Sequence, residues 1–140
     1  MSQDHSLNRR DAADAVNVAR AREAFSHWLR QFELDAARHG DAVLAVNEAL
    51  ANSAEFAYLH HERPGMVTLA ADYDPAAATL TVTIADEGTW REPTLGSNPQ
   101  LRGRGIPLMQ GLADVATIAP SPHGTTVSLR FDNINDRALA

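Results

Sequence analysis

Residues Ala42 to Tyr58 read AVLAVNEALANSAEFAY, and the rest of the chain makes sense around this stretch. Alanine, leucine, valine and glutamate dominate it, and no glycine or proline interrupts it, so it predicts one continuous helix. Val43, Val46, Leu50, Ala54 and Ala57 recur at steps of three and four and form its expected core face. Glu48, Asn52 and Glu55 follow one another at steps of four and three, which stacks them along another face. An acid and an amide one turn apart can hold a divalent cation and orient a hydroxyl nucleophile. The same pair also suits the solvated side of an ordinary amphipathic helix. Gly40 marks an expected turn before this helix, and Asp41 is its expected cap.

Upstream, Val18, Ala21, Phe25, Trp28, Leu29 and Phe32 give an apolar stripe at helical spacing, so a helix is expected from about Asp14 to Phe32. Before it, the first ten residues are polar, with a short edge strand expected around Ser6 to Arg10. Downstream, Met66 to Tyr73 and Thr79 to Ala85 alternate apolar and polar residues, and Asp74-Pro75-Ala76-Ala77 joins them as a hairpin. Thr89 to Arg102 is a loop by composition, with two prolines and few apolar groups. A short helix is expected over Ile106 to Asp114, then strands over Val115 to Ala119 and Thr125 to Phe131 with a turn between them. Asp132 to Ala140 reads as a loose tail. Helices followed by hairpin-connected strands imply an α+β two-layer sandwich, with helices on one face of a mostly antiparallel sheet.

Composition narrows the function. A chain of 140 residues with 44% hydrophobic content forms one compact domain with one core. The expected division is an N-terminal arm over 1–13, a single domain over 14–131 and a tail over 132–140. A formal charge of −6, from 12 basic and 18 acidic residues, argues against a sequence-independent grip on nucleic acid. The absence of cysteine removes disulfides and thiol catalysis and fits a reducing cytoplasm. MSQDHSLNRRDAAD has no apolar core of a secretory leader, and no run approaches the ~18 apolar residues that span a bilayer. A cytoplasmic protein without membrane association is expected. His60-His61 stands alone as a pair without further spaced ligands, so it reads as loop rather than metal site.

The order of motifs carries more than any one of them. Glu48 and Asn52 lie in the central helix, Asp86-Glu87-Gly88 ends a strand, Arg102-Gly103-Arg104-Gly105 runs into an apolar helix, and Gly124-Thr125 opens the last strand. This series resembles the GHKL ATPases with the Bergerat ATP-binding fold, and most of all the small bacterial anti-sigma factors that are serine kinases. The resemblance covers roughly 14–131. It implies Glu48 as the catalytic residue that polarises an attacking hydroxyl, and Asn52 as a nucleotide-side residue and ligand of Mg²⁺. It implies Asp86 as the acceptor for the adenine amine, with Gly88 letting the backbone pass close to the ring. Gly103 and Gly105, with Arg102 and Arg104, would take the phosphates at a helix N-terminus, where free N–H groups and the dipole favour anions. Thr125 would join the adenine-side network. Glu55 is left open between a supporting and a surface role.

The function so implied is sequestration of a sigma factor, with Mg-ATP-dependent phosphorylation of a STAS-domain anti-anti-sigma protein on serine or threonine. The alternative is an ATP- or ADP-loaded switch that binds partners without kinase activity. Relatives of this kind often form homodimers, and the first helix with its arginines is the expected partner surface. Two positions depart from the pattern: Trp90 stands where relatives often have a second glycine, and Phe56 where they often have histidine. Trp90-Arg91-Glu92-Pro93 is left open between a short lid over the nucleotide and packing over the sheet.

Overall fold

The computed structural model describes residues 5–57, 65–88, 105–122 and 124–134. Strand β1 (Ser6–Ala12) leads into helices α1 (Ala15–Arg30) and α2 (Ala36–Asn52), and a π-helical turn (Ser53–Ala57) extends α2. Strands β2 (Met66–Asp74) and β3 (Thr79–Asp86) follow, then helix α3 (Gly105–Leu112) and strands β4 (Val115–Ser121) and β5 (Gly124–Phe131). The five strands form one sheet in the order β1-β2-β3-β5-β4, with every neighbouring pair antiparallel.

Period-two alternation decides which side of the sheet is covered. Val67, Leu69, Ala71 and Tyr73 of β2, Leu80, Val82 and Ile84 of β3, and Val127, Leu129 and Phe131 of β5 are all buried. They share one cluster with Val18, Phe25 and Leu29 of α1, Val46 and Leu50 of α2, and Met109 of α3. The alternate strand positions are exposed, as at Thr81, Arg130 and Thr117, or half-buried, as at Thr83 and Ser128. This is the two-layer α+β sandwich, with its helices on one face of an antiparallel sheet. Burying each Leu, Ile or Phe of this cluster is worth roughly 1.5–3 kcal/mol against leaving it in water.

Several boundaries differ from the sequence reading, each for a physical reason. Helix α2 starts at Ala36, because the Asp35 side chain accepts the Arg38 N–H at 3.0 Å and caps it. Gly40 is therefore a residue of the helix and not a turn, and Asp41 lies inside the helix rather than capping it. The buried stripe of α2 is Ala42, Ala45, Val46, Ala49 and Leu50. Val43 and Ala54 pack only partly against the core, and the side chain of Ala57 lies outside the described residues. The expected continuous α-helix widens into the π turn at Ser53. At the N-terminus, β1 runs through Ala12 as a full edge strand, longer than the Ser6–Arg10 segment expected. At the other end, the expected loose tail is packed as far as Ile134: its side chain is buried, its N–H donates to Ala78 O at 3.0 Å, and its carbonyl accepts from Asp35 N.

The β2–β3 hairpin forms as expected, and its chemistry is local. Asp74 Oδ1 accepts from the N–H groups of Ala76 and Ala77 at 3.0 and 3.3 Å, and Ala78 takes the left-handed conformation at φ 52°.

Candidate functional site

One row of the sheet ends the helix-facing side: Asp11, Val67, Asp86, Thr125 and Pro120 lie side by side across the five strands. Most of the helix-facing positions behind this row are apolar, whereas Asp86 in its middle is a carboxylate in partial burial. As the last residue of β3, Asp86 is placed by the ladders of two neighbours, opposite Val67 and Thr125. Its Oδ1 accepts the Gly88 N–H at 3.0 Å, a turn of chain folding back onto its own side chain. Its Oδ2 accepts the Ser53 hydroxyl at 3.2 Å. Ser53 Oγ also lies 3.4 Å from Ala49 O, and a hydroxyl has one proton, so it serves one of the two acceptors at a time.

Burial pushes the Asp86 carboxyl above its ordinary pKa, and the Gly88 N–H, the Ser53 hydroxyl and the Thr125 N–H oppose that shift only in part. The group is thus held in one orientation yet not fully compensated. A carboxylate has about four lone-pair sites, and those left over can accept a further donor.

The strand beside it is built close. Gly124 sits at φ 150°, and a Cβ there would lie 1.9 Å from Asp86 O, 2.9 Å from Asp86 C and 3.0 Å from Glu87 Cα. Only glycine lets β5 approach the Asp86–Glu87 backbone so nearly. Thr125, the next residue, is buried, as is Gly88. Outside the row, Arg10 and Glu87 form an exposed ion pair at 3.5 Å, a rim contact of small energetic weight.

The helix brings the second part of the site. Glu48 and Asn52 are part-exposed on α2, off the buried stripe, with Asn52 as the last α-helical residue. Ser53 follows it directly, so one peptide joins the amide of Asn52 to the hydroxyl that touches Asp86. Immediately beyond, the helix opens into the π turn, a rare geometry that recurs at functional sites. Glu55 in that turn is exposed to solvent. Among the described residues no three His, Cys, Asp or Glu side chains converge as a metal cage. A divalent cation here would rest on the Asn52 amide oxygen, with waters and phosphate oxygens supplying the other positions. This suits magnesium, which commonly takes few protein ligands.

The sequence reading missed Ser53. Its signal was the stripe: Ala42, Val46, Ala49 and Ser53 run at four, three and four, so Ser53 is a hydroxyl at a buried position and needs a partner. Of the other candidates, Gly105 is the first residue of α3. Trp90, Arg102, Gly103 and Arg104 lie outside the described residues, as do His60 and His61.

The fold is an α+β sandwich of the GHKL type. A family model described as the histidine kinase-like ATPase domain matches residues 12–131, and the chain belongs to that family. Among solved structures, the chain is similar to the RsbU and RsbW domains of Rv1364c from Mycobacterium tuberculosis, with a TM-score of 0.72 and 21% identity. That likeness covers 91% of this chain and 32% of the other, so the chain spans about a third of its length. At this identity the likeness concerns the fold. Among the described residues, no helix is long and apolar enough to cross a membrane.

Proposed function

We propose that the protein is an ATP-binding anti-sigma regulator with serine/threonine kinase activity, acting in the cytoplasm on a STAS-domain antagonist. The observation that carries this reading is Asp86: a half-buried carboxylate, fixed by Ser53 and Gly88 and left with unused acceptor capacity. Such a group recognises an exocyclic amine, and adenine N6 is the donor that the family's chemistry supplies. Gly124 and Gly88 let the backbone lie close to a flat base, and Thr125 lines the same end.

The phosphates would extend toward the N-terminus of α3, where Gly105 begins the helix and Arg102, Gly103 and Arg104 precede it. Asn52 would hold magnesium through its amide oxygen, and the ion would supply charge neutralisation to the phosphates. Glu48, one turn before Asn52, accepts the proton of a partner's serine or threonine hydroxyl. That oxygen attacks the γ-phosphorus, the bond to the β–γ bridging oxygen breaks, and ADP leaves. The chain contributes positioning and one base, which is what phosphoryl transfer asks of a protein.

A sigma factor and the STAS protein are the proposed partners, and similarity to a structure holding RsbU and RsbW domains supports a regulatory setting of this kind. The outward side of α1 suits such contacts: Val16 is 62% exposed, and Arg20 and Arg30 are exposed along the same helix. It equally suits a second copy in a homodimer.

The test is transfer of label from γ-labelled ATP to the cognate STAS protein. Glu48→Gln should keep nucleotide affinity and lose transfer by ~10²–10⁴-fold, the usual weight of a general base. Transfer at the wild-type rate removes Glu48 from this role. A wild type that binds ATP and its partners but transfers nothing is a binding switch instead.

A further inference from the structure

Helix α3 has two ends, and only its N-terminal one belongs to the proposed phosphate site. The other end is tied down by a compact set of polar contacts remote from Asp86. Asp114, two residues beyond α3, accepts from Arg38 Nη2 at 2.6 Å and from the Asp132 N–H at 2.7 Å through the same oxygen, Oδ2. Its own N–H donates to Arg130 O at 2.9 Å. Arg38 Nη2 also donates to Asp132 O at 3.0 Å, and the guanidinium carbon stands 6.0 Å from the centre of the Phe131 ring. Burial pushes the Asp114 carboxyl up, but the Asp132 N–H and Arg38 outweigh it and hold the group below its ordinary range.

Arg38 belongs to the first turn of α2, whose last turns carry Glu48 and Asn52. The two helices pack against each other, with Met109 of α3 buried in the shared core. An eight-residue helix is about 12 Å long and moves as one piece. A tie at its C-terminus therefore fixes where its N-terminus points.

We propose that Arg38, through Asp114, is a positioning residue that sets the phosphate end of α3 against Glu48 and Asn52 on α2. This rests on the nucleotide reading above. The side chains are 26% and 40% exposed, so the pair adds little to global stability; what it contributes is the placement of α3. Asp86 sits on the sheet at the opposite end and does not depend on this tie.

The experiment uses the full chain and compares Arg38→Met, Asp114→Asn and the double variant. Affinities for Mg-ATP and for adenosine are measured well below each melting midpoint. Arg38→Met keeps an apolar stem over Phe131 and removes the hydrogen bonds. It should weaken Mg-ATP by about fivefold or more while leaving adenosine within twofold of wild type, and the double variant should be no worse than the worse single one. Arg38→Lys should recover part of the loss. If Arg38→Met binds Mg-ATP within twofold of wild type while its melting point falls, the pair is merely structural and the proposal is overturned. Equal losses for ATP and adenosine overturn it as well, because they mean general loosening. A wild type that binds neither ligand defeats the nucleotide reading itself, and this result is distinct from both.

Discussion

At one end of the helix-facing side of the sheet, Tyr73, Leu80 and Phe131 lie in register, while at the other end Val67, Asp86 and Thr125 do. The first row is closed by rings: Phe32 packs on Tyr73 at 4.6 Å between centroids, and Trp28 meets Phe32 edge-on at 5.1 Å. Ile134 adds a buried aliphatic group there, and Arg38 and Asp114 close the adjoining corner with paired charges. In the second row a carboxylate replaces the apolar side chain, a hydroxyl replaces an alanine's methyl, and the helix above unwinds into a π turn. Val67 and Thr125 in that row are buried, but Asp86 between them is desolvated without a cationic partner among the described residues. The contrast separates what holds the sandwich together from what it presents to a ligand. Stability is concentrated at the aromatic end, and the Asp86 end gives up stability to keep a hydrogen-bond acceptor available.

The Asp86 end is most sensitive at Gly124. Gly124→Ala forces a methyl into the Asp86 carbonyl and holds a residue at φ 150°, so it should destabilise the protein by ~3 kcal/mol or more. Denaturant melts measure this, and a loss under about 1 kcal/mol would show that the close approach of β5 to Asp86 is not tight. Next comes Asp86→Asn, where the two ends should respond differently. The folded-state pKa of Asp86 lies above its unfolded value, so the ionised group costs stability at neutral pH, and that cost vanishes as pH falls through the folded pKa. The amide can keep its oxygen toward the Gly88 N–H and turn its NH₂ toward Ser53, whose hydroxyl is then free to donate to Ala49 O. The variant should therefore melt a few degrees higher than wild type at pH 7, with the advantage shrinking as pH approaches 3. A lower melting point at pH 7 contradicts the picture of an uncompensated carboxylate.

The smallest effect lies away from both ends. Gly40 is exposed inside α2, and a Cβ there meets nothing within 4 Å. Gly40→Ala should stabilise the fold by about 0.5–1 kcal/mol, the helix-interior cost of glycine, and leave nucleotide binding unchanged.

Much of the fold could be read from the sequence because its signals are periodic. Alternation in Met66 to Tyr73 and Thr79 to Ala85 marks two strands and their buried faces, and the stripe from Val18 to Phe32 marks α1. What failed was punctuation. Gly40 resembles a turn residue, but tertiary packing of the helix on both sides of it outweighs its propensity, and the capping group is Asp35. Ile134 was hidden in the tail because a single isoleucine flanked by Asp132, Asn133, Asn135 and Asp136 carries no period. At the candidate site, the sequence order brought out Glu48, Asn52, Asp86 and Thr125, each of which belongs to a motif. Ser53 and Arg38 belong to none: each acts through a contact more than thirty residues away, which spacing along the chain does not reveal.

Whether the polar end of the sandwich is a nucleotide site is decided by a melt of wild type and Asp86→Asn across Mg-ATP concentrations. Binding in the micromolar range corresponds to roughly 8 kcal/mol, and nucleotide at about a hundredfold over Kd should raise wild-type stability by about 2.7 kcal/mol. Asp86→Asn should lose most of that rise, because its NH₂ can face the adenine amine donor to donor. A wild-type melting point unchanged up to millimolar Mg-ATP would mean that this end binds no nucleotide, and an equal rise in both proteins that Asp86 does not read the base.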